Sequence, residues 1–201
     1  IENSRFYLDV KIDEQTLHEV YLPHFKMLVD AGIDSLMSAY NQINGEYCGH
    51  SHKLLHNILR EQWGFKGFVS SDWLWGIYET EKPANAGMDI EMPRGHFYGR
   101  RLRKAVESGD IPQGKIDASV RRILTAKLHW ITALSEQKLE KDIIACKKHR
   151  ELARECAEQS MVLLTNNGIL PWSEKNLAGK TLAVIGELAA IPCLGDNGSS
   201  R

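Results

Sequence analysis

Residues 64–73 read Gly-Phe-Lys-Gly-Phe-Val-Ser-Ser-Asp-Trp, a short apolar run that ends in a carboxylate followed by an indole ring. Phe68 and Val69, bounded by Gly67, have the character of a buried strand, so Asp72 falls where that strand opens into a loop. A strand end holds a side chain rigidly while the loop beyond it admits a ligand, and α/β barrels keep their chemistry there. Asp72 is therefore a candidate nucleophile. The plainer alternative is that it caps the turn that follows. Trp73 and Trp75 flank it with flat apolar faces, and Tyr40 sits at the end of the preceding predicted strand with a hydroxyl able to hydrogen-bond a carboxylate. Glu91 ends a third predicted strand and faces the same side; its competing role is a structural one, paired with Arg94 or a loop amide, and structural carboxylates outnumber catalytic ones. Met37 offers apolar lining, with core packing as its alternative.

The elements that must position these groups follow from periodicity. Leu17, Val20, Tyr21, Leu22, Phe25, Leu28 and Val29 recur at helical spacing over 14–30, and Gly32 supplies a stop. A strand is expected over 33–39, a polar loop over 40–49, and a helix after Ser51 carrying Leu54, Leu55, Ile58, Leu59 and Trp63 on its buried side. Strands at 68–71 and 88–91 alternate with helices at about 78–86, 98–108 and 114–130. Three strands each followed by a helix fit a parallel α/β arrangement, and they amount to less than half of an eight-stranded barrel. Residues 131–148 are charged and poorly patterned, which suggests an exposed helical connector. A helix at 150–159, a strand-like run at 161–164 and Leu182-Ala183-Val184-Ile185-Gly186 come next, the last opening a second α/β unit.

With 25 Lys and Arg against 26 Asp and Glu, the formal net charge of −1 gives no general attraction to polyanions. Arg100, Arg101, Arg103 and Lys104 read as a solvated helix face, so no nucleic-acid partner is expected. No apolar run approaches the roughly 20 residues of a membrane span. Cys48, Cys146, Cys156 and Cys193 have neither metal-ligand spacing nor a dense disulfide framework, and no metal or other cofactor is expected. They do not fix the compartment. Asn197-Gly198-Ser199 fits a glycosylation acceptor, a short motif that also occurs by chance. Val184-Ile185-Gly186 is not followed by a Gly-x-Gly-x-x-Gly pattern, which removes a dinucleotide site. A complete α/β barrel takes about 250 residues, and the chain starts at Ile1 and stops in a Gly/Ser-rich run, so an internal fragment of something larger is expected.

Several blocks recur together: Glu2-Asn3-Ser4-Arg5-Phe6; Thr16-Leu17-His18-Glu19-Val20-Tyr21-Leu22-Pro23; Met37-Ser38-Ala39-Tyr40-Asn41 with Asn44-Gly45; Ile58-Leu59-Arg60; Trp63-Gly64-Phe65; and Ser71-Asp72-Trp73. Asn85-Ala86-Gly87-Met88-Asp89-Ile90-Glu91-Met92-Pro93 follows, then Val162-Leu163-Leu164-Thr165-Asn166-Asn167-Gly168-Ile169-Leu170-Pro171 and Gly195-Asp196-Asn197-Gly198-Ser199-Ser200-Arg201. In this order the blocks resemble glycoside hydrolase family 3, the β-glucosidase family, along nearly the whole chain. The resemblance implies the C-terminal part of a (β/α)8 TIM-type barrel at 1–130, a linker at 131–160, and the start of a second α/β sandwich domain at 161–201.

The resemblance also implies chemistry. Glycoside hydrolysis generally needs two carboxyl groups, one protonating the leaving oxygen and one attacking the anomeric carbon or activating water. Asp72 matches the family nucleophile, Tyr40 the tyrosine beside it, and Trp73 a pocket-lining ring; Arg5 falls just downstream of the family's substrate-gripping Lys-His pair, which this chain lacks. The family's acid/base is commonly a glutamate of the second domain, and no residue here matches it. Ser51-His52-Lys53 replaces a family loop that usually carries an asparagine. The implied activity is retaining hydrolysis of terminal β-glycosidic bonds in an oligosaccharide or other glycoside, with this chain inactive alone. β-Xylosidase and β-N-acetylglucosaminidase activities of the same family, and a non-catalytic carbohydrate-binding remnant, stand as alternatives. Sugar and linkage specificity and oligomeric state are left open.

Overall fold

The computed structural model describes residues 3–135 and 141–191. Cys193, the Asn197 acceptor motif and the block from Gly195 to the end lie outside the described residues, as does part of the expected connector. The chain separates into two compact units, Ile1–Lys138 and Leu139–Arg201.

The first unit mixes helices with short strands. The amphipathic stretch near the start forms helix α1 (Glu14–Thr16), a wider π turn at Leu17–Tyr21, and α2 (Pro23–Asp30). Asp13 begins it, its carboxylate accepting from Thr16 N–H at 2.8 Å. The expected single helix is divided because Pro23, which has no N–H, starts a new helix at its first position. Gly32 ends α2 at φ +85°, a left-handed backbone that glycine adopts without steric cost.

Strand β2 (Ser35–Met37) follows, shorter than the expected 33–39, and pairs in parallel with β5 (Phe68–Ser70), with Leu36 opposite Val69 and Met37 opposite Ser70. The third expected strand is reduced to one parallel bridge, Ser70 with Ile90. A π-helix at Lys53–Gln62 crosses between β2 and β5 and buries Leu55, Ile58 and Leu59; the Ser51 hydroxyl accepts from Leu54 N–H at 3.3 Å at its start. After β5 come α3 (Glu81–Ala86), α4 (Arg100–Glu107) and α5 (Gln113–Ser135). The core gathers Leu55, Leu59, Phe65, Val69, Ile77, Ala86 and Met88 beneath the parallel strands.

The segment expected to be a polar loop contains a hairpin instead, β3 (Gln42–Ile43) and β4 (Glu46–Tyr47), and β3 pairs in parallel with β1 (Asp9–Val10). Its turn is Asn44-Gly45, both at positive φ, the type I′ geometry that matches strand twist.

In the second unit α6 (Lys147–Ser160) covers the expected helix and α7 (Glu174–Leu177) is a short turn begun by Ser173. The strands expected at 161–164 and 182–186 do not form. A strand needs a neighbour to take its N–H and C=O groups, and the described residues of this unit provide none; Leu164 and Ile185 are about nine-tenths exposed, at 90% and 91%.

Candidate active site

Asp72 stands two residues beyond β5, half-buried, with the Trp73 N–H donating to its Oδ1 at 2.6 Å. Its main chain is fixed on three sides. The buried Ser71 hydroxyl donates to the Asp72 carbonyl at 2.9 Å and accepts from Met92 N–H at 2.9 Å, while Ser71 N–H donates to Ile90 O at 2.8 Å. Leu74 N–H donates to Met92 O at 3.0 Å. Gly76 folds back onto the same turn so closely that a Cβ there would lie 2.5 Å from Asp72 N and 2.6 Å from Asp72 O, so only glycine fits. Leu74 holds φ +65°, a left-handed conformation costing roughly 1–3 kcal/mol for a branched residue, which the surrounding bonds sustain.

Tyr40 approaches from the end of the β2 segment and donates its hydroxyl to Trp73 O at 2.8 Å. Burial pushes its phenol up to about 12, and the hydrogen bond and charge of Asp72 act in the same direction against a smaller opposing pull from Arg5. The phenol therefore keeps its proton across the neutral range. Because its folded value is raised, the stabilisation it brings is complete below the ordinary value of 10.0 and is lost as pH climbs towards about 12. Arg5 lies with its guanidinium 5.3 Å from the Tyr40 ring centre and 5.2 Å from Phe6, whose ring is 4.7 Å from Tyr40. The β1–β3 pairing brings this early segment there, since Gln42 N–H donates to Leu8 O at 2.8 Å.

Asp72, Tyr40, Trp73 and Arg5 are thus brought together. The other named residues are placed differently. Met37 is on β2, 58% exposed, and lines an apolar groove with Leu17, Phe25, Leu36 and Trp63. Glu91 accepts from Phe97 N–H at 2.8 Å and Tyr98 N–H at 2.7 Å through one oxygen, the loop-amide role weighed as its alternative. Trp75, half-exposed, shares a cavity with Glu91.

The profile of the glycosyl hydrolase family 3 N-terminal domain matches residues 4–126, more than half of the chain. The chain belongs to glycosyl hydrolase family 3. A β-glucosidase of Rhizobium radiobacter is 37% identical over all of this chain, which covers 24% of that protein. Thermostable β-glucosidase B of Acetivibrio thermocellus is 35% identical, again over all of this chain and 26% of its own length. Among solved structures, DesR, a β-glucosidase from Streptomyces venezuelae in complex with D-glucose, superposes with a TM-score of 0.70 at 34% identity, over 83% of this chain and 23% of that one. The chain spans about a quarter of the length of the relatives it matches.

Within this family 3 chain, the strongest polar cluster is one that sequence reasoning passed over. Asp89 has a side chain with 0% exposure. Its Oδ2 accepts from Arg60 at 2.7 Å and Val69 N–H at 2.7 Å; its Oδ1 accepts from Arg122 at 2.6 Å and Ser119 at 2.7 Å. One carboxylate thereby ties the π-helix, β5 and α5 together. The only sequence signal was an acid inside an apolar run, Met88-Asp89-Ile90, a pattern that demands a buried partner. Gly76 and Ser71 were missed too, since neither carries a charge. Among the described residues no group of three or more His, Cys, Asp or Glu side chains could hold a metal ion.

Ser71→Ala should expose how far the site depends on this frame. It leaves the Met92 N–H and the Asp72 carbonyl without their shared partner, a loss of about 1–3 kcal/mol, and lets the turn around Asp72 relax. In an active polypeptide containing residues 1–201, kcat should fall roughly tenfold to a hundredfold with KM changed little, as read by steady-state kinetics beside a thermal melt. An unchanged kcat would show that Ser71 does not govern the position of Asp72.

Proposed function

We propose that this chain carries the nucleophile of a retaining β-glycosidase, β-glucosidase-like in its substrate, with Asp72 attacking the anomeric carbon. The observation that carries the reading is the grouping of Asp72, Tyr40 and Arg5 at the end of a parallel strand in a chain matched by the family 3 profile. In the first step a carboxylate oxygen of Asp72 bonds to the anomeric carbon as the glycosidic C–O bond breaks. A general acid, which no residue of this chain is assigned to be, protonates the departing oxygen. Water then attacks the same carbon, its proton passes to that group acting as base, and the ester bond to Asp72 breaks. Tyr40, kept protonated, donates to the Trp73 carbonyl next to the carboxylate and fixes the turn, while the Arg5 guanidinium packs over its ring. Trp73, 54% exposed, offers a flat face to a pyranose.

On this reading residues 1–130 are the C-terminal portion of the catalytic (β/α)8 barrel, 131–160 a helical connector and 161–201 the beginning of a second α/β domain. The parallel register of β2, β5 and Ile90 supports the barrel. The partner is an oligosaccharide or other glycoside, and no cofactor takes part.

Proton NMR of the first-formed sugar tests the mechanism. A polypeptide of the relatives' length containing residues 1–201 should release the β-anomer from an aryl β-glycoside, because two inversions at one carbon retain configuration. Immediate release of the α-anomer would overturn the covalent role of Asp72, and absence of turnover would favour a carbohydrate-binding remnant.

A further inference from the structure

We infer that His50 is a positioning residue for the attack by Asp72: its neutral imidazole clamps the far end of the loop that carries the carboxylate, and its protonation opens the clamp. The inference rests on the glycosidase reading and adds to it a residue outside the group around Asp72.

The loop runs from Ser71 to Thr80, between β5 and α3. Ser71 bonds its near end to Ile90 and Met92. Its far end meets a 3₁₀ turn at Cys48–His50, all three residues of which are buried. There the Tyr78 N–H donates to His50 Nε2 at 3.0 Å. Beside that bond two backbones touch, since a Cβ on Gly49 would lie 2.3 Å from Gly76 O. Gly76 is also the residue pressed against Asp72 N and O, so a shift of the His50 turn reaches the main chain of Asp72 through one glycine. The same turn holds the other side of the site, because Cys48 N–H donates at 3.0 Å to the carbonyl of Asn41, next to Tyr40.

The ring chemistry makes the clamp conditional. An amide donates to Nε2 only when that nitrogen carries no proton, so the neutral ring bears its proton on Nδ1, 3.6 Å from Glu79 Oε1. The Tyr47 and Tyr78 rings lie 5.5 and 6.2 Å from the imidazole, and Cys48 adjoins it on the turn. Burial pulls His50 below its ordinary 6.5; Glu79 and Glu46 favour the cation, and Lys82, ion-paired with Glu79 at 2.9 Å, opposes it. Because the folded value is lowered, the stability tied to the neutral ring is complete above 6.5 and is lost as pH falls through the folded value. A proton on Nε2 would face the Tyr78 amide hydrogen across 3.0 Å, donor against donor, and the loop end would be released.

The test uses a polypeptide of the relatives' length containing residues 1–201, with 4-nitrophenyl β-glucoside as substrate. His50→Leu fills much of the ring's space but offers no acceptor, and it should lower kcat of the folded enzyme roughly tenfold or more while moving KM little. His50→Gln puts an amide oxygen near the position of Nε2 and does not titrate. It should restore most of kcat at neutral pH and carry the acid limb of the kcat profile about half a unit or more to lower pH. An unchanged kcat in His50→Leu beside a lowered melting temperature would make His50 structural only and overturn the inference. Acid limbs that superimpose in wild type and His50→Gln overturn it as well, and they decide the matter where His50→Leu fails to fold. Hydrogen exchange of the peptide spanning 71–79 needs no turnover: it should be faster in His50→Leu, and equal exchange overturns the clamp. A wild type that turns over no β-glucoside yet shows that contrast overturns the glycosidase reading instead.

Discussion

Asp72→Asn is expected to reduce glycoside hydrolysis by roughly four orders of magnitude or more while leaving the fold and sugar binding largely intact. An amide has nearly the shape of a carboxylate, and its oxygen can still accept from Trp73 N–H as Asp72 Oδ1 does at 2.6 Å. The turn around it, held by Ser71, Gly76 and Leu74 through main-chain contacts, does not depend on the charge. What is lost is nucleophilicity, and with it the covalent intermediate. Thermal melting should therefore shift by little, within the range of about ±0.5 kcal/mol usual for substitutions outside the core, while kcat collapses. A variant that kept more than a tenth of the wild-type rate would exclude Asp72 as the nucleophile.

The second large effect falls on stability. Asp89→Ala removes the acceptor of Arg60, Arg122, Ser119 and the Val69 amide at once, leaving two largely buried guanidinium groups facing a hole. Breaking one side of a buried ion pair typically costs about 3–5 kcal/mol, a large part of the roughly 5–15 kcal/mol that holds a domain folded. Urea titration should show the midpoint falling accordingly, or the protein failing to accumulate in soluble form. Asp89→Asn keeps the shape and part of the hydrogen bonding and should be the milder change. A loss below about 1 kcal/mol in the alanine variant would mean that the guanidinium groups find water or new partners easily.

How much of this was legible in the sequence differs by residue. The strand at 68–71 could be read because Phe68 and Val69 form an apolar run closed by Gly67, and its end put Asp72 in a loop, where the structure has it. Tyr40 beside that loop followed from the preceding strand. The β3–β4 hairpin did not, although Asn44-Gly45 is a strong turn signal, because strands of two residues are too short to show alternation. Arg5 reached Tyr40 only through the pairing of β1 with β3, a contact more than 30 residues apart that no local pattern encodes. Gly76 and Ser71 act through backbone proximity, which leaves no mark on composition. Leu182-Ala183-Val184-Ile185 has strand character, yet whether it forms a strand depends on neighbours that the described residues do not supply.

The central claim is that Asp72 forms the covalent bond to the sugar, and the most direct measurement of it is the site of labelling by a 2-deoxy-2-fluoro β-glucoside with a good leaving group. The fluorine slows breakdown of the glycosyl ester so that it accumulates, and peptide mapping by mass spectrometry locates it. In a polypeptide of the relatives' length containing residues 1–201, the label should appear once per chain on the peptide that contains Asp72 and should be absent from Asp72→Asn. A label on any other carboxylate, Glu91 included, would contradict the account.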